Sequence, residues 1–427
     1  MSQSSRLARR APAFRHRNFR LFLGAQAVSL IGTWMQTLGQ AWLILALTSD
    51  PFMLGLATAA QGLPIVGFAL VGGVIADRVS KRRLLVMTQS SMLLLALVLG
   101  LLCLTGAVAV WHVLLLAFAL GCVNAIDMPA RQAFVVEMVG PDGVASAVGL
   151  SSTAYNAARL IGPAIAGLVI GVATAEMGSP IRGTGAAFVI NALSYAAVLL
   201  GLLMLREEEL FPLERKAAAR GVWAVVHEIG EGLAYVRGTK PVLAALVVPG
   251  LISTVAVNFN VLVPVLARQE LALDAGGLGL LLAAVGVGAL IAALRIGIGG
   301  RAGPRALIGG AVVLGVALVL TGIFPWLALT IAFLSAAGAG AVSMRTAANT
   351  SIQLATPPLL RGRVMSLFSI VFEGSSPMGG LIAGAIAGAF GVRVAFIVAG
   401  VAAVLLAVLG APLLSRVVPA GSSSGHG

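Results

Sequence analysis

Charge is scarce in this chain: of its 427 residues only 10% are Asp, Glu, Lys or Arg, against 59% that are hydrophobic. A soluble domain of this make-up has too few polar side chains to cover its apolar surface, which excludes the ordinary globular classes. Cysteine is scarcer still. Cys103 and Cys122 both fall in apolar runs, too few for a disulfide framework and without metal-site spacing, and they read as packing residues. The four histidines are scattered (His16, His112, His227, His426), and no P-loop or nucleotide-binding domain can be traced. No metal, no cofactor and no enzymatic chemistry is therefore expected.

What the chain has in abundance is long apolar runs, with a mean hydropathy of +1.03. Twelve candidate spans lie near 21–47, 54–76, 84–105, 111–128, 147–173, 184–205, 242–267, 276–298, 306–323, 326–344, 364–390 and 392–413. Most reach the roughly 20 residues a helix needs to cross about 30 Å of hydrocarbon. The expected class is an all-α membrane protein. The first span follows a basic leader but is too long for a signal-peptide core and has no clear cleavage site, so it is expected to be retained.

The net charge of +13 would suggest nucleic acid in a soluble protein. Here the bases lie between apolar runs, so bilayer orientation explains them and no nucleic-acid partner is expected. With the amino terminus inside, only Arg182, Arg268 and Arg393 of the 28 Lys and Arg face out, and Arg159 lies within a span. The remainder fall on the cytoplasmic side, among them Arg78, Lys81, Arg82 and Arg83 in one loop. That asymmetry predicts a multi-pass membrane protein with both termini cytoplasmic.

The polar stretch 206–241 divides the spans six and six. The expected organisation is an N-terminal six-helix bundle over 1–205, a linker over 206–241 and a C-terminal bundle over 242–427 with a disordered tail. Within the linker, Val222, Val226, Ile229, Leu233 and Val236 recur at helical spacing, which predicts an amphipathic helix at the inner membrane surface that simply tethers the halves. An internal repeat appears at a shift of about 217 residues: Gly162-Pro163 with Gly167 matches Gly379-Gly380 with Gly384. Six spans duplicated in one orientation imply a pseudo-twofold axis along the membrane normal and rocking of two halves.

The loop Gly73-Val-Ile-Ala-Asp77-Arg78-Val-Ser-Lys-Arg82-Arg83 resembles the signature G-x-x-x-D-R-x-G-R-R of the major facilitator superfamily, with Ser80 for the second Gly and Lys81 for an Arg. Ala158 to Gly167 is similar to the antiporter pattern G-x-x-x-G-P-x-x-G-G through Gly162, Pro163 and Gly167. The opening Phe14 to Arg20 and the stretch Asp127 to Gln132 resemble a bacterial efflux branch that includes exporters of enterobactin-type siderophores and of macrolides. The resemblance implies twelve helices in two six-helix bundles. It also implies a cytoplasmic gate at Gly73, Asp77, Arg78 and Arg82, with Asp77 facing the start of span eleven near Arg363 and Val364. It departs in span four, where drug exporters carry an intramembrane Arg and residues 111–126 have none; Arg131 lies beyond the end.

Glu373 is the one acidic residue read as deep in a span, and by the repeat it corresponds to Asn156, a turn before Arg159. A charge at that depth requires a wet cavity or a partner, so Glu373 and Arg159 are candidates either for proton coupling or for an ion pair bracing the halves. Gln26, Gln36 and Gln40 in span one, Asn124 in span four, and Asn258 and Asn260 in span seven are candidates for a cavity lining; helix-to-helix bonding is the alternative for each. The expectation is a monomeric secondary transporter exporting a small organic molecule, siderophore or drug-like, against protons. Movement of a lysophospholipid between leaflets is one alternative, and a sensor or assembly subunit that transports nothing is another.

Overall fold

A computed structural model describes residues 12–211, 222–299 and 303–415. Every regular element among them is helical. The spans are α1 (Arg17–Thr48), α2 (Pro51–Arg78), α3 (Lys81–Thr105), α4 (Val110–Met177) and α5 (Pro180–Leu203). After them come α6 (Val222–Gly238), α7 (Lys240–Ala256), the short α8 (Phe259–Val265), α9 (Ala275–Gly299), α10 (Pro304–Ile323), α11 (Leu327–Ala355), α12 (Pro358–Phe390) and α13 (Val392–Leu414).

Among the described residues, eleven helical stretches are long and apolar enough to span a membrane. One of them, α4, has 68 residues, about 100 Å of helix and far more than one crossing needs. It bends at Gly140, whose φ of 64° and ψ of 177° are not helical. Glycine tolerates that left-handed φ, and Pro141 follows with no amide hydrogen to donate. Counted as two arms, α4 brings the spans to the expected twelve. Other ends are punctuated in the same way: Gly106 (φ 77°) and Gly178 (φ 64°) cap α3 and α4, while Pro180, Pro304 and Pro358 open helices where a missing donor costs nothing.

Three spans differ most from their sequence reading, the fourth by running on from 128 to the bend at Gly140. Span seven is not one continuous helix: α7 stops at Ala256, the chain resumes as α8, and a π-helical turn follows at Leu266–Glu270. The tenth span does not end at 344 but runs on to Ala355, which places Arg345 inside α11.

The chain forms two compact units, one drawn from Met1–Leu47 and Gly67–Val222, the other from Thr48–Val66 and Trp223–Gly427. In the first unit α3 packs on α4 and α5, around a core of Phe19, Phe22, Leu85, Phe134, Met138 and Val198. In the second, α11 packs on α9 and α10, and α13 on α7 and α10. The first half of α2 belongs to the second unit. There Gly62 lies against Pro377, where a Cβ would come within 2.6 Å of Cγ, and Gly55 meets the backbone of Gly380. Helix α6 is more than a tether. Gly232 abuts the Arg363 backbone, Tyr235 donates to the Ala355 carbonyl at 3.1 Å, and Glu231 pairs with Arg363.

Candidate functional site

In the second unit, Glu373 sits 15 residues into α12, about 22 Å from its start. Its carboxylate accepts from the Arg345 guanidinium of α11 at 3.1 Å. The guanidinium also lies over the Phe372 ring, 5.4 Å from the centroid, and that ring packs on Phe368 at 4.2 Å. Both ionic side chains are about half exposed, 55% for Arg345 and 49% for Glu373. A charged pair is costly against hydrocarbon at that depth, which favours a polar setting over a lipid-facing one. Arg345 is therefore the cation this unit brings to Glu373, and span patterning missed it by closing the helix one residue too soon.

Arg159 is held in the first unit over the Trp34 ring, 5.6 Å from its centroid. Tyr155 meets Trp34 edge-on at 5.7 Å, and Asn156 donates to the Ser152 carbonyl at 2.8 Å. The Gly162 neighbourhood explains why small residues stand there: a Cβ would approach the Ile31 carbonyl of α1 to 2.9 Å and run into Trp34. Pro163 and Gly167 are buried beside it. Gly379 repeats the arrangement in the second unit, where a Cβ would run into the Thr254 carbonyl of α7 and come within 2.6 Å of Asn258.

The candidate amides lie in different settings. Gln26, Gln36 and Gln40 are all buried, and Gln36 accepts from Asn191 of α5. Asn258, also buried, bridges the break between α7 and α8 by donating to the Thr254 carbonyl at 2.7 Å. Asn124 is half-buried and donates to Leu120 at 3.0 Å, whereas Asn260 is exposed. The three glutamines and Asn124 belong to the first unit, Asn258 and Asn260 to the second.

A second carboxylate escaped the sequence reading. Asp127, named in the sequence only within the stretch resembling the efflux branch, is completely buried in α4. It accepts from Thr88 at 2.7 Å and from Gln89 at 2.9 Å, and pairs with Arg131 one turn on. Gln89 Oε1 and Arg131 Nε have no protein partner, so the cluster keeps spare hydrogen-bonding capacity. Nearby, Arg82 pairs with Glu207 and donates to the Leu202 carbonyl at 2.9 Å, while Lys81 reaches Glu137 at 3.4 Å. Gly73 has open space around it. The side chains of Asp77 and Arg78 lie outside the described residues.

Comparison with known proteins covers nearly the whole chain. The model of a family described as transmembrane secretion effector matches residues 8–424. The staphyloferrin A transporter of Staphylococcus aureus (strain NCTC 8325 / PS 47) is 30% identical over 152 residues, 35% of this chain and 38% of that protein, so the match spans well under two thirds of that relative. Macrolide efflux protein A of Streptococcus pyogenes is 23% identical over 358 residues, 83% of this chain and 85% of that one. Among solved structures, a POT family transporter in complex with a thioalcohol conjugated peptide superposes with a TM-score of 0.72 at 11% identity, covering 94% of this chain and 96% of that one. That likeness is one of fold.

Proposed function

The chain belongs to the transmembrane secretion effector family of the major facilitator superfamily, multi-pass membrane transporters and not enzymes, and from that premise we propose that it exports a small organic molecule in exchange for protons. The observation that carries the exchange is the half-exposed Glu373–Arg345 pair on Phe372. A carboxylate can take up and release a proton, and a guanidinium beside it neither titrates nor leaves. Relatives named for siderophore transport and macrolide efflux support an organic cargo of either kind. The bacterial relatives support a plasma membrane location, the bias of Lys and Arg supports both termini being cytoplasmic, and nothing in the reading needs more than a monomer. Transport by alternating access, as the internal repeat implies, completes this reading. Asp77 and Arg78 are proposed to latch the cytoplasmic face in the outward-open state, and Arg82 to anchor the same loop.

Proteoliposomes carrying the purified protein test this. With staphyloferrin A and with a macrolide as probes, an imposed pH gradient should drive accumulation of one of them. Glu373→Gln should abolish that accumulation while downhill flux of the same probe persists, because glutamine resembles the protonated acid but exchanges no proton. A stable Glu373→Gln protein that still accumulates the probe rules out the coupling role.

A further inference from the structure

The second arm of α4 shows two exposed sides of opposite character. At 100° per residue, Ile161, Ile165, Leu168 and Val172 fall within about 60° of one another, and all four are exposed. Ser152, Asn156 and Arg159 share a similar arc about half a turn away; the first two are exposed and Arg159 is half-buried. Aliphatic side chains suit a lipid-facing side, whereas amides and guanidinium groups are costly there. The side bearing Asn156 and Arg159 is therefore turned away from lipid.

Arg159 does not stand on that side alone. Gly162, one turn on, lacks the side chain that would meet Trp34, so α1 comes close enough for the indole to lie beneath the guanidinium at 5.6 Å. Tyr155, one turn back, meets the same ring edge-on at 5.7 Å and keeps 47% of its own surface exposed. A ring beneath a guanidinium engages its face and none of the N–H donors along its edge, whose fork matches a carboxylate. Asn156 gives one amide hydrogen to the Ser152 carbonyl at 2.8 Å, and its amide carries a second. A cation that keeps its proton, an amide donor and two aromatic rings thus meet within the first unit.

We propose that Arg159, Asn156, Trp34 and Tyr155 form a seat for the carboxylate of an organic cargo whose body is aromatic or apolar. The Arg159 fork takes both carboxylate oxygens, Asn156 donates to one of them, and the Trp34 and Tyr155 rings cover the body. One guanidinium balances one negative charge, so a singly charged acid suits the seat better than a phosphate monoester or a cation. The inference rests on the reading of the chain as an exporter of a small organic molecule and names the class of that molecule, but it uses neither Glu373 nor protons.

Equilibrium dialysis of the purified full chain in a non-ionic detergent tests the seat, with protein-free micelles as the blank and radiolabelled 1-naphthoate and 1-naphthamide as probes. The two probes share their rings, and only the first is charged. Naphthoate should bind at least about tenfold more tightly, and Arg159→Gln should bring it to the level of the amide while leaving the amide unchanged. Arg159→Lys keeps the charge but loses the fork, so it should retain only part of the preference. Equal binding of the two probes to the unaltered protein, or binding of neither, overturns the seat with no variant needed. A preference that stays whole in Arg159→Gln or Arg159→Lys, each checked for folding by size exclusion, overturns it as well. Proton exchange is judged separately: a naphthoate preference lost in Arg159→Gln, beside absent proton-driven flux, would leave the seat standing and sink the exchange, whereas coupled flux without that preference would sink the seat alone.

Discussion

The second arm of α4 (141–177) and helix α12 align in the internal repeat read from the sequence, and set side by side they differ in an instructive way. Kept is the close approach: Gly162 admits α1, and Gly379 admits α7, at equivalent positions. Kept too is an aromatic one turn and more before it, Tyr155 in the first unit and Phe372 in the second. Altered is the charge. The first unit carries Asn156 and a guanidinium of its own, Arg159 over Trp34; the second carries Glu373 and borrows its guanidinium, Arg345, from α11. A guanidinium keeps its proton, whereas a carboxylate can exchange one, so at this repeated position it is the second copy that offers a proton-exchanging group. Packing constrains the backbone of both copies alike, while side chains on the wet face are free to diverge.

A carboxylate contrast within the molecule gives the largest expected effect. Asp127 is sealed and holds Thr88, Gln89 and Arg131, whereas Glu373 is half exposed beside one arginine. Asp127→Asn leaves a largely buried guanidinium without its counter-charge, which typically costs about 3–5 kcal/mol. Glu373→Gln leaves Arg345 in water, where such pairs are worth about 0–1 kcal/mol. Thermal unfolding of the two variants in the same detergent should therefore show a large drop for the first and little change for the second. Equal drops would make Glu373 a structural brace and dissolve the contrast.

A smaller effect probes the conserved half of the comparison. Gly162→Ala and Gly379→Ala each force a methyl against a neighbouring helix backbone, Ile31 in one unit and Thr254 in the other. Overpacking of this kind costs about 1–3 kcal/mol. The two losses should match within experimental error in thermal unfolding. A loss at one glycine alone would mean that the repeat's close contact serves only one unit.

Much of this was legible in the amino-acid order, for reasons that also mark where legibility stopped. Apolar runs and Gly or Pro punctuation located the spans, and the spacing of Gly162 and Gly379 exposed the repeat, because both are local patterns. Arg345 was missed because α11 ends in Ala, Ser, Thr and Asn, so hydropathy falls well before the helix does at Ala355. Asp127 was missed because its partners Thr88 and Gln89 lie far away in the chain, and burial is a property of packing. The break at Val257 and Asn258 has no glycine or proline at it; it follows from Asn258 donating back to Thr254 while α12 presses Gly379 against the same turn. Docking of α6 through Tyr235 depends likewise on a carbonyl 120 residues away.

The smallest expected effect asks whether the two cation–aromatic contacts have diverged in role along with the charges. Trp34→Leu removes the ring beneath Arg159, and Phe372→Leu removes the ring beneath Arg345. Each contact is worth about 0.5–1 kcal/mol at an exposed site, equivalent to a two- to fivefold change in an equilibrium constant. In the first unit the described contacts of the ring are Arg159 and Tyr155, so Trp34→Leu should shift only the apparent affinity for the transported probe, leaving the number of protons exchanged per molecule unchanged. In the second unit the ring positions the guanidinium that faces Glu373, so Phe372→Leu should lower that proton count as Arg345 loosens. Parallel measurement of probe flux and proton flux in the same proteoliposomes separates the two outcomes. Should both variants lower the proton count equally, the units share proton handling and the division drawn from Asn156 and Glu373 fails; should neither do so, Arg345 holds its place through Glu373 alone.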